Sequence, residues 1–447
     1  MTKSVSSLAR RPWVVGLGLF ALGGLVMGCA LAFAPPSLRP AGGYNDYLSF
    51  FKPVATNLLA GRGYTGLNGH TELHDPPGYP LILAFLYGAA DLLGVGREGI
   101  VSVFTALFLA AAGVLIYRVT RVVFGRTVGI VASVLWITYP VEVEMAPYRF
   151  SEVPYTAVLY LTTLVFADGA VRGVPTWRRM TVVGVLIGID ALTRPQAILL
   201  VIPFGLALWF RSHQSKRQGE TAARSRVATE NAPRAAGRHR AVVGLCAVMV
   251  VAYGVTISPW EIWVKVRTGD TVALSNSGPS AFINGMAIDL DPHDEHGHVP
   301  LPAGVLALEK RVLAHQKSLT SMTKIASYMG HQLAAYPAPV LELFAIKAAR
   351  SFYGTNSFSH ETLIAVIQIP YLALMIAGLV LAWRSGGPRR WMAVFAIAVV
   401  VYVWLVTISV LSIVRYMGPG LGLFVPFAAL ALVELWRRLR PATTAAG

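Results

Sequence analysis

Charged residues are scarce in this chain. They make up 13% of its 447 residues, whereas 55% of the residues are hydrophobic. Soluble domains carry about 25% charged residues, so the composition excludes an ordinary soluble protein and points to lipid. Cysteine is scarce as well, because Cys29 and Cys246 are the only two, near opposite ends of their apolar runs. We therefore predict neither a disulfide nor a cysteine-ligated metal.

Apolar runs recur along nearly the whole sequence. A membrane-spanning helix needs about 20 predominantly apolar residues, so the ends of the shorter runs must extend into the flanking loops. The runs predict an all-α polytopic membrane protein with about ten spans. They are Trp13–Phe33, Ile100–Val119, Val128–Tyr139, Val153–Phe166, Met180–Leu192, Ile198–Phe210, Ala241–Ile257, Leu363–Trp383, Trp391–Ile413 and Leu421–Leu435.

One further apolar run, Pro77–Leu93, is predicted to be a juxtamembrane or re-entrant helix. As a full span it would place Arg118–Arg126 outside and invert every later loop. The tripeptide Ala32-Phe33-Ala34 resembles a signal-peptidase site. Because the apolar run before it is long for a cleaved signal, we interpret that run as the first span.

Basic residues favour one side of the predicted membrane. With the N-terminus inside, the inner segments hold 23 of the 38 basic residues but only four of the 22 acidic ones. Cytoplasmic loops are enriched in Lys and Arg, so both termini are predicted to be cytoplasmic. The net charge of +16 then needs no nucleic acid as a partner, because anionic lipid headgroups account for it.

The chain divides into predicted segments with different compositions. Residues 211–240 are rich in Arg, Ala, Ser and Gln, which is typical of disorder. Residues 259–361 have too few apolar side chains to predict an independent core. The segments are 1–33, the N-terminal tail and first span; 34–99, the first external loop with juxtamembrane helices; 100–210, a transmembrane bundle; 211–240, a disordered basic cytoplasmic linker; 241–258, a span; 259–361, an external loop or subdomain; 362–436, the C-terminal spans; and 437–447, a cytoplasmic tail.

Three titratable residues stand out in the predicted first external loop. A carboxylate such as Asp46, just past the first span, can deprotonate a hydroxyl in a partly desolvated cleft, although a solvated loop acid is the alternative. His74 and Asp75 precede Pro76-Pro77, whose rigid backbone holds them at the start of the next helix. They are candidates for an active-site loop or metal ligands, or they only mark a helix start.

A short outer loop between the third and fourth runs is crowded with charge. It holds Glu142, Glu144, Arg149 and Glu152. Carboxylates at the hydrocarbon boundary are costly unless they are paired or bound to a cation. Glu142 and Glu144 are therefore candidate metal ligands, and ordinary polar loop residues are the alternative.

Two arginines near later spans are candidate ligands of a phosphate. Asp190 and Arg194 are four residues apart, which predicts an ion pair on one helix face. Arg415, beside Tyr416, is the only charged residue between Trp391 and Val433 in the sequence. A guanidinium forks onto phosphate oxygens, which would explain its outer position; interfacial anchoring is the alternative. Residues 289–298, DLDPHDEHGH, fit no calcium or zinc signature and are interpreted as a solvated turn.

Several short motifs occur in a fixed order along the chain. They are Asp46 with Ala55–Tyr64, Asp75–Leu81, Ser151-Glu152, Thr193–Pro195, Ser258–Ser275 and Arg415–Pro419. In this order they resemble the GT-C glycosyltransferases, in particular bacterial relatives of protein O-mannosyltransferases and lipid A aminoarabinose transferases. The chain departs from the family pattern where Val264-Lys265 replaces Arg-Asn, Asn45-Asp46 replaces an acidic pair, and Asp75 replaces a base before Pro-Pro.

The resemblance implies a GT-C-like helical membrane bundle with a large first external loop. It also implies a polyprenyl-phosphate-linked sugar as donor and an acceptor lipid, glycan or protein on the extracytoplasmic face. The first-loop acid of the family, here Asp46, would be the catalytic base. We hypothesise an inverting transfer with Asp46 and Glu152 as catalytic residues and a donor phosphate bound by Arg415, Tyr416, Arg194 and Arg149.

Two alternatives stay open at this stage. In the first, a divalent metal assists departure of the leaving group through Glu142, Glu144, Glu152 or His74. In the second, the chain is a polytopic lipid or solute transporter or flippase. Such a protein typically shows inverted repeats and interrupted helices near the midplane, and neither is evident in the sequence.

Overall fold

The structure, a computed structural model, describes residues 11–33, 46–225, 235–286, 301–355 and 360–439. Within these ranges the chain is helical, and strand pairing is limited to an isolated bridge between Thr65 and Thr71. The terminal tails, Asn45 and the segment 289–298 lie outside the described residues.

The described residues form eighteen α-helices. In chain order they are α1 (Pro12–Phe33), α2 (Lys52–Leu59), α3 (Gly78–Leu93), α4 (Arg97–Phe124), α5 (Arg126–Ile137), α6 (Pro140–Glu144), α7 (Glu152–Arg172), α8 (Trp177–Thr193), α9 (Val201–Ser225), α10 (Ala235–Thr268), α11 (Gly278–Met286), α12 (Ala303–Ala314), α13 (Met322–Ala335), α14 (Pro337–Arg350), α15 (Glu361–Ser385), α16 (Gly387–Ser409), α17 (Val414–Leu421) and α18 (Val425–Leu439). A π-helical turn, Tyr47–Phe51, precedes α2.

Each of the ten apolar runs predicted from the sequence lies mostly in helix. Among the described residues, seven helices are long and apolar enough to cross a membrane: α1, α4, α7, α9, α10, α15 and α16. The pair α17–α18, bent by 62°, can form an eighth span. The remaining two, α5 and α8, have 12 and 17 residues. The prediction of an all-α, multi-pass membrane protein is confirmed.

The apolar run Pro77–Leu93 forms the short helix α3. Tyr79 and Leu83 on one face are buried, whereas Leu81 and Phe85 on the other are exposed. A helix with one face packed on protein and an exposed apolar face suits the membrane interface. Its place at the outer surface stays a prediction.

The composition of residues 211–240 predicts a disordered linker. In the structure, helix extends into both ends of this stretch. Helix α9 continues to Ser225, and α10 begins at Ala235. Arg, Ala, Gln and Glu are abundant there and are good helix formers, so a composition poor in apolar residues does not exclude helix. Residues 226–234 lie outside the described ranges.

The helices between α10 and α15 share a cluster of buried apolar side chains, in a region whose apolar content the sequence indicates is too low for an independent core. Short amphipathic helices each bury one narrow apolar stripe, so a low overall content suffices. We call α11–α14 the helical subdomain. Its buried side chains are Phe282, Met286, Val305, Leu308, Val312, Leu319, Ile325, Met329, Val340 and Leu343.

The packing of three helices gathers the candidate residues at one end of the bundle. Helices α7 and α8 are packed neighbours joined by a short loop, so the start of α7, at Glu152, lies beside the end of α8, at Thr193. Helix α17 begins at Val414 and also packs against α7. Residues from distant parts of the sequence therefore meet here.

Candidate active site

Four charged side chains form the centre of the site. One carboxylate oxygen of Glu152, Oε2, lies 2.6 Å from Arg194 Nη1, and the other, Oε1, lies 2.9 Å from Arg415 Nε. Asp46 Oδ2 lies 3.8 Å from Arg415 Nη2. We call Asp46, Glu152, Arg194 and Arg415 the charged cluster. Its formal charges cancel.

Exposure separates the two acids of the cluster. The Glu152 side chain is 1% exposed, whereas the Asp46 side chain is 35% exposed. A buried carboxylate is stable only when it is paired, and Glu152 is paired with two guanidinium groups. Asp46 can therefore meet an incoming molecule, while Glu152 is enclosed and holds the two arginines in place.

Aromatic rings flank the two guanidinium groups. The central guanidinium carbon of Arg415 lies 4.0 Å from the ring centre of Phe150 and 5.1 Å from that of Tyr416. The corresponding carbon of Arg194 lies 4.9 Å from the Tyr416 ring centre. Stacking of this kind fixes the plane of a guanidinium while its N–H groups stay in that plane.

Hydrogen bonds from neighbouring residues fix the same elements. Arg194 Nη1 donates to Ser151 Oγ at 2.8 Å, and Gln196 Nε2 donates to the Tyr416 carbonyl at 3.3 Å. Ser151 directly precedes Glu152 in the chain. The start of α7, the end of α8 and the start of α17 are thus joined at the cluster.

His74 and Asp75 form a pair beside Asp46. His74 Nδ1 lies 2.8 Å from Asp75 Oδ2, and the imidazole stacks on the Phe50 ring with centroids 3.9 Å apart. Burial by itself lowers the pKa of His74, but the hydrogen bond and charge of Asp75, with the charges of Asp46 and Glu72, outweigh it and raise the pKa. The pair therefore favours a protonated imidazole near the base candidate.

Gly78 lets two of the sequence motifs pack against each other. A Cβ at this position would lie 2.6 Å from the Leu192 carbonyl oxygen and 3.0 Å from Thr193 Cα. Both distances are too short for a side-chain carbon, so the turn Asp75–Leu81 can rest on the end of α8 only with glycine here. His74 and Arg194 thereby lie on adjoining elements.

Glu142 lies behind the charged cluster. It is fully buried, and neither carboxylate oxygen has a hydrogen-bond partner among the described residues. Burial, and then the charge of Glu152, raise the pKa of Glu142 to about 8. A Cβ at Gly418 would lie 2.6 Å from Glu142 Oε1, so glycine at that position makes room for this carboxyl group.

The candidate metal ligands do not assemble into a metal site. Within the described part of the chain, no three His, Cys, Asp or Glu side chains form a group that could hold a metal ion. Burial raises the pKa of Glu144, while the charges of His360 and Arg415 oppose that shift. We therefore derive no metal-assisted step from Glu142 and Glu144.

The predicted ion pair between Asp190 and Arg194 is wrong. Helix α8 ends at Thr193, and Arg194 is extended (φ −145°, ψ 131°), so the helical spacing that would align the two side chains is lost. The Arg194 guanidinium turns to Glu152 instead. Asp190 is buried, and its carboxylate oxygens have no hydrogen-bond partner in the described ranges.

Arg149 belongs to a neighbouring network. Its Nε lies 3.1 Å from Glu98 Oε2, and Glu98 also pairs with Lys52 at 2.6 Å. The Tyr79 hydroxyl donates to the Arg149 carbonyl at 2.7 Å. The guanidinium thus joins the segment before α7 to the start of α4, and its assignment to a donor phosphate stays a prediction.

Sequence reasoning missed three residues of the site and named a fourth, Ser151, only as part of the motif Ser151-Glu152. Phe150, Ser151, Gln196 and Phe50 contact the charged residues or His74. Phe150 and Ser151 lie between the candidates Arg149 and Glu152, so their position was a usable signal. Nothing in the sequence distinguishes Gln196 or Phe50 from ordinary neighbours of a motif.

The comparisons with known proteins agree with this architecture. The family model for dolichyl-phosphate-mannose-protein mannosyltransferases matches residues 74–222, which include His74, Glu152 and Arg194. No curated protein matches the sequence with statistical significance.

Two solved structures share the fold. One is the archaeal oligosaccharyltransferase AglB from Archaeoglobus fulgidus, in complex with an inhibitory peptide and a dolichol-phosphate (TM-score 0.54, 13% identity), and the match covers 97% of this chain and 52% of that one. The other is ArnT from Cupriavidus metallidurans bound to undecaprenyl phosphate (TM-score 0.55, 15% identity), with 95% and 62% covered. The chain thus spans about half the length of AglB.

The fold is that of the GT-C membrane glycosyltransferases. Over residues 74–222 the chain is similar to the protein mannosyltransferases, and its fold is shared with AglB and ArnT, in agreement with the resemblance found in the sequence.

Proposed function

We propose that the protein is an inverting glycosyltransferase that moves a sugar from a polyprenyl phosphate to an acceptor hydroxyl, with Asp46 as general base. The observation that carries this proposal is the charged cluster. In it the partly exposed carboxylate of Asp46 lies 3.8 Å from the Arg415 guanidinium, which the buried Glu152 holds. A transferase of this type needs a base for the acceptor hydroxyl and a cation for the departing phosphate.

The reaction is a single displacement at the anomeric carbon. Asp46 takes the proton of the acceptor hydroxyl, whose oxygen forms the new bond to that carbon. The bond from the carbon to the phosphate oxygen breaks, and the electron pair leaves with the polyprenyl phosphate. The transition state resembles an oxocarbenium ion, as in glycoside hydrolysis, so negative charge develops on the leaving phosphate.

Arg415 and Arg194 would receive that charge. Guanidinium groups bind phosphate oxygens through two parallel N–H donors, and the rings of Phe150 and Tyr416 fix their planes. In this proposal Glu152 is a positioning residue, because both of its oxygens face arginines. Asp46 is then the acid of the cluster that an acceptor can reach.

The lipid partner is supported by the relatives. AglB was solved with a dolichol-phosphate, and ArnT with undecaprenyl phosphate. For this chain we propose a polyprenyl-phosphate donor whose prenyl chain lies along the exposed apolar helix surfaces. The acceptor is a lipid, glycan or protein, and the site faces away from the cytoplasm, where the loops are poor in Lys and Arg.

The test is transfer from a polyprenyl-phosphate sugar by the purified protein and by Asp46→Asn. Because a positioned base contributes roughly 10² to 10⁴ in rate, turnover should fall by about that factor while donor binding is kept. Asp91→Asn is the matched control, since Asp91 is an exposed acid of the same region that pairs with Arg97. Equal turnover of wild type and Asp46→Asn would remove Asp46 from the mechanism.

A second measurement separates the remaining alternatives. Activity that persists in the presence of a chelator argues against metal-assisted departure of the leaving group. Movement of the intact polyprenyl-phosphate sugar across proteoliposomes without any transfer product would instead support a flippase and contradict the proposed reaction.

A further inference from the structure

Lys347 of α14 is a fully buried cation far from the charged cluster in sequence. Its Nζ donates to the carbonyl of Gly285 at 3.0 Å and to that of Val410 at 2.9 Å. Burial lowers the pKa of Lys347 to about 7, with Glu309 opposing the shift and Arg350 reinforcing it. Both forms of the amine carry N–H donors, so the two hydrogen bonds do not depend on its charge.

Three chain segments meet at this amine. Gly285 is the last but one residue of α11, Lys347 lies in α14, and Val410 follows the last residue of α16. A Cβ at Gly285 would overlap the Val410 carbonyl, so the two backbones are in direct contact. The subdomain is thus fixed to the end of α16 by backbone packing and by one side chain.

A second contact holds the other end of the loop between α16 and α17, of which Val410 is the first residue. The Val414 N–H, the first of α17, donates to the Gly354 carbonyl at 2.9 Å. The first N–H groups of a helix have no partner inside the helix, so an outside carbonyl defines where it starts. A Cβ at Gly354 would lie 2.6 Å from the Ser412 carbonyl oxygen, which shows how closely the two segments approach.

Residues 410–414 are therefore held at both ends by the helical subdomain and its exit, and Arg415 comes next in the chain. We propose that Lys347 is a positioning residue for Arg415: it fixes the loop that places the guanidinium in the charged cluster. This inference deepens the proposed function and rests on it for its effect on the donor. The coupling between Lys347 and the loop is independent of the reaction.

The experiment compares Lys347→Met with Lys324→Met in the full-length protein in detergent. Lys324 is the matched control, because it is an exposed lysine of α13 in the same subdomain. Two quantities are measured: amide hydrogen exchange of the peptide covering residues 410–416, and the Kd for undecaprenyl phosphate as the probe.

Methionine keeps the length of the side chain but removes the donor, and one hydrogen bond is worth about a two- to tenfold change in an equilibrium. We expect faster exchange and a Kd raised by about that factor in Lys347→Met, and no change in Lys324→Met. If Lys347→Met does not fold, Gly354→Ala disturbs the same loop from its other end and should give the same two changes.

The outcomes separate this inference from the proposed function. Unchanged exchange at residues 410–416 in a folded variant overturns the coupling. Faster exchange with an unchanged Kd overturns the positioning role, provided that Arg415→Gln loses probe binding. Absence of probe binding in the wild type contradicts the proposed donor, while the exchange result still decides the coupling.

Discussion

Three acidic residues near one another take different roles because their surroundings differ. Asp46 is partly open to solvent beside Arg415, and Glu152 is enclosed between two arginines. Glu142 is enclosed without a hydrogen-bond partner among the described residues, and its pKa is raised to about 8. Burial without a partner favours the neutral form, so Glu142 is held as a carboxylic acid at neutral pH.

Glu142→Gln should stabilise the protein increasingly as the pH rises. The folded pKa of Glu142, about 8, lies above its ordinary value of 4.5, so unfolding releases a proton between these pH values. Stability is therefore full below pH 4.5 and is lost as the pH rises through 8. Within that window the variant should gain up to about 1.4 kcal/mol per pH unit relative to wild type.

Thermal unfolding in detergent from pH 5 to pH 9 measures this difference. Glu342→Gln is the control, because Glu342 is exposed on α14 and should show no such trend. A difference between wild type and Glu142→Gln that does not change with pH would contradict the assigned neutral state.

At the residue scale, the sequence indicated which side chains are unusual but not which of them pair. Arg415 stood out as a single charge in a long apolar stretch, and it lies in the cluster. Arg194 also stood out, yet its predicted partner was Asp190. The pairing depends on the backbone turn at Arg194, where Pro195 follows and ends the helix, and on α7 bringing Glu152 alongside.

At the scale of elements, close backbone contacts decide how the motifs assemble. In the sequence, the turn Asp75–Leu81 could be read as only marking the start of a helix. In the structure it rests on the end of α8 through Gly78. The helices themselves could be predicted, because apolar runs mark them directly. Their contacts could not be predicted, since a glycine that permits a contact looks in sequence like any other glycine.

Gly78→Ala should lower both stability and activity. A methyl group would collide with the Leu192 carbonyl, which is backbone and cannot move aside easily. Overpacking of this kind costs about 1–3 kcal/mol. Thermal unfolding and turnover are the measurements, and Gly99→Ala is the control, because Gly99 lies in the first turn of α4 and a Cβ there meets nothing within 4 Å. Equal effects in the two variants would show that helix propensity, rather than the contact with α8, is responsible.

At the scale of the whole molecule, the basic residues of α7 and α8 lie at the ends of these helices that are far from the charged cluster. Helix α7 runs from Glu152 in the cluster to Arg172, and α8 returns from Trp177 to Thr193. Arg178, the second residue of α8, lies at the end of this helix far from the cluster. Because cytoplasmic loops are enriched in Lys and Arg, this polarity predicts that the cluster faces the extracytoplasmic side.

Single cysteines placed at the two ends test this orientation in intact cells. Leu67, in the first loop, is 75% exposed, and Val174, between α7 and α8, is 48% exposed. In a background with Cys29→Ser and Cys246→Ser, a membrane-impermeant maleimide should label Leu67→Cys in intact cells. It should label Val174→Cys only after the membrane is permeabilised. The reverse pattern would place the cluster on the cytoplasmic side, and it would require a donor whose phosphate lies in the inner leaflet.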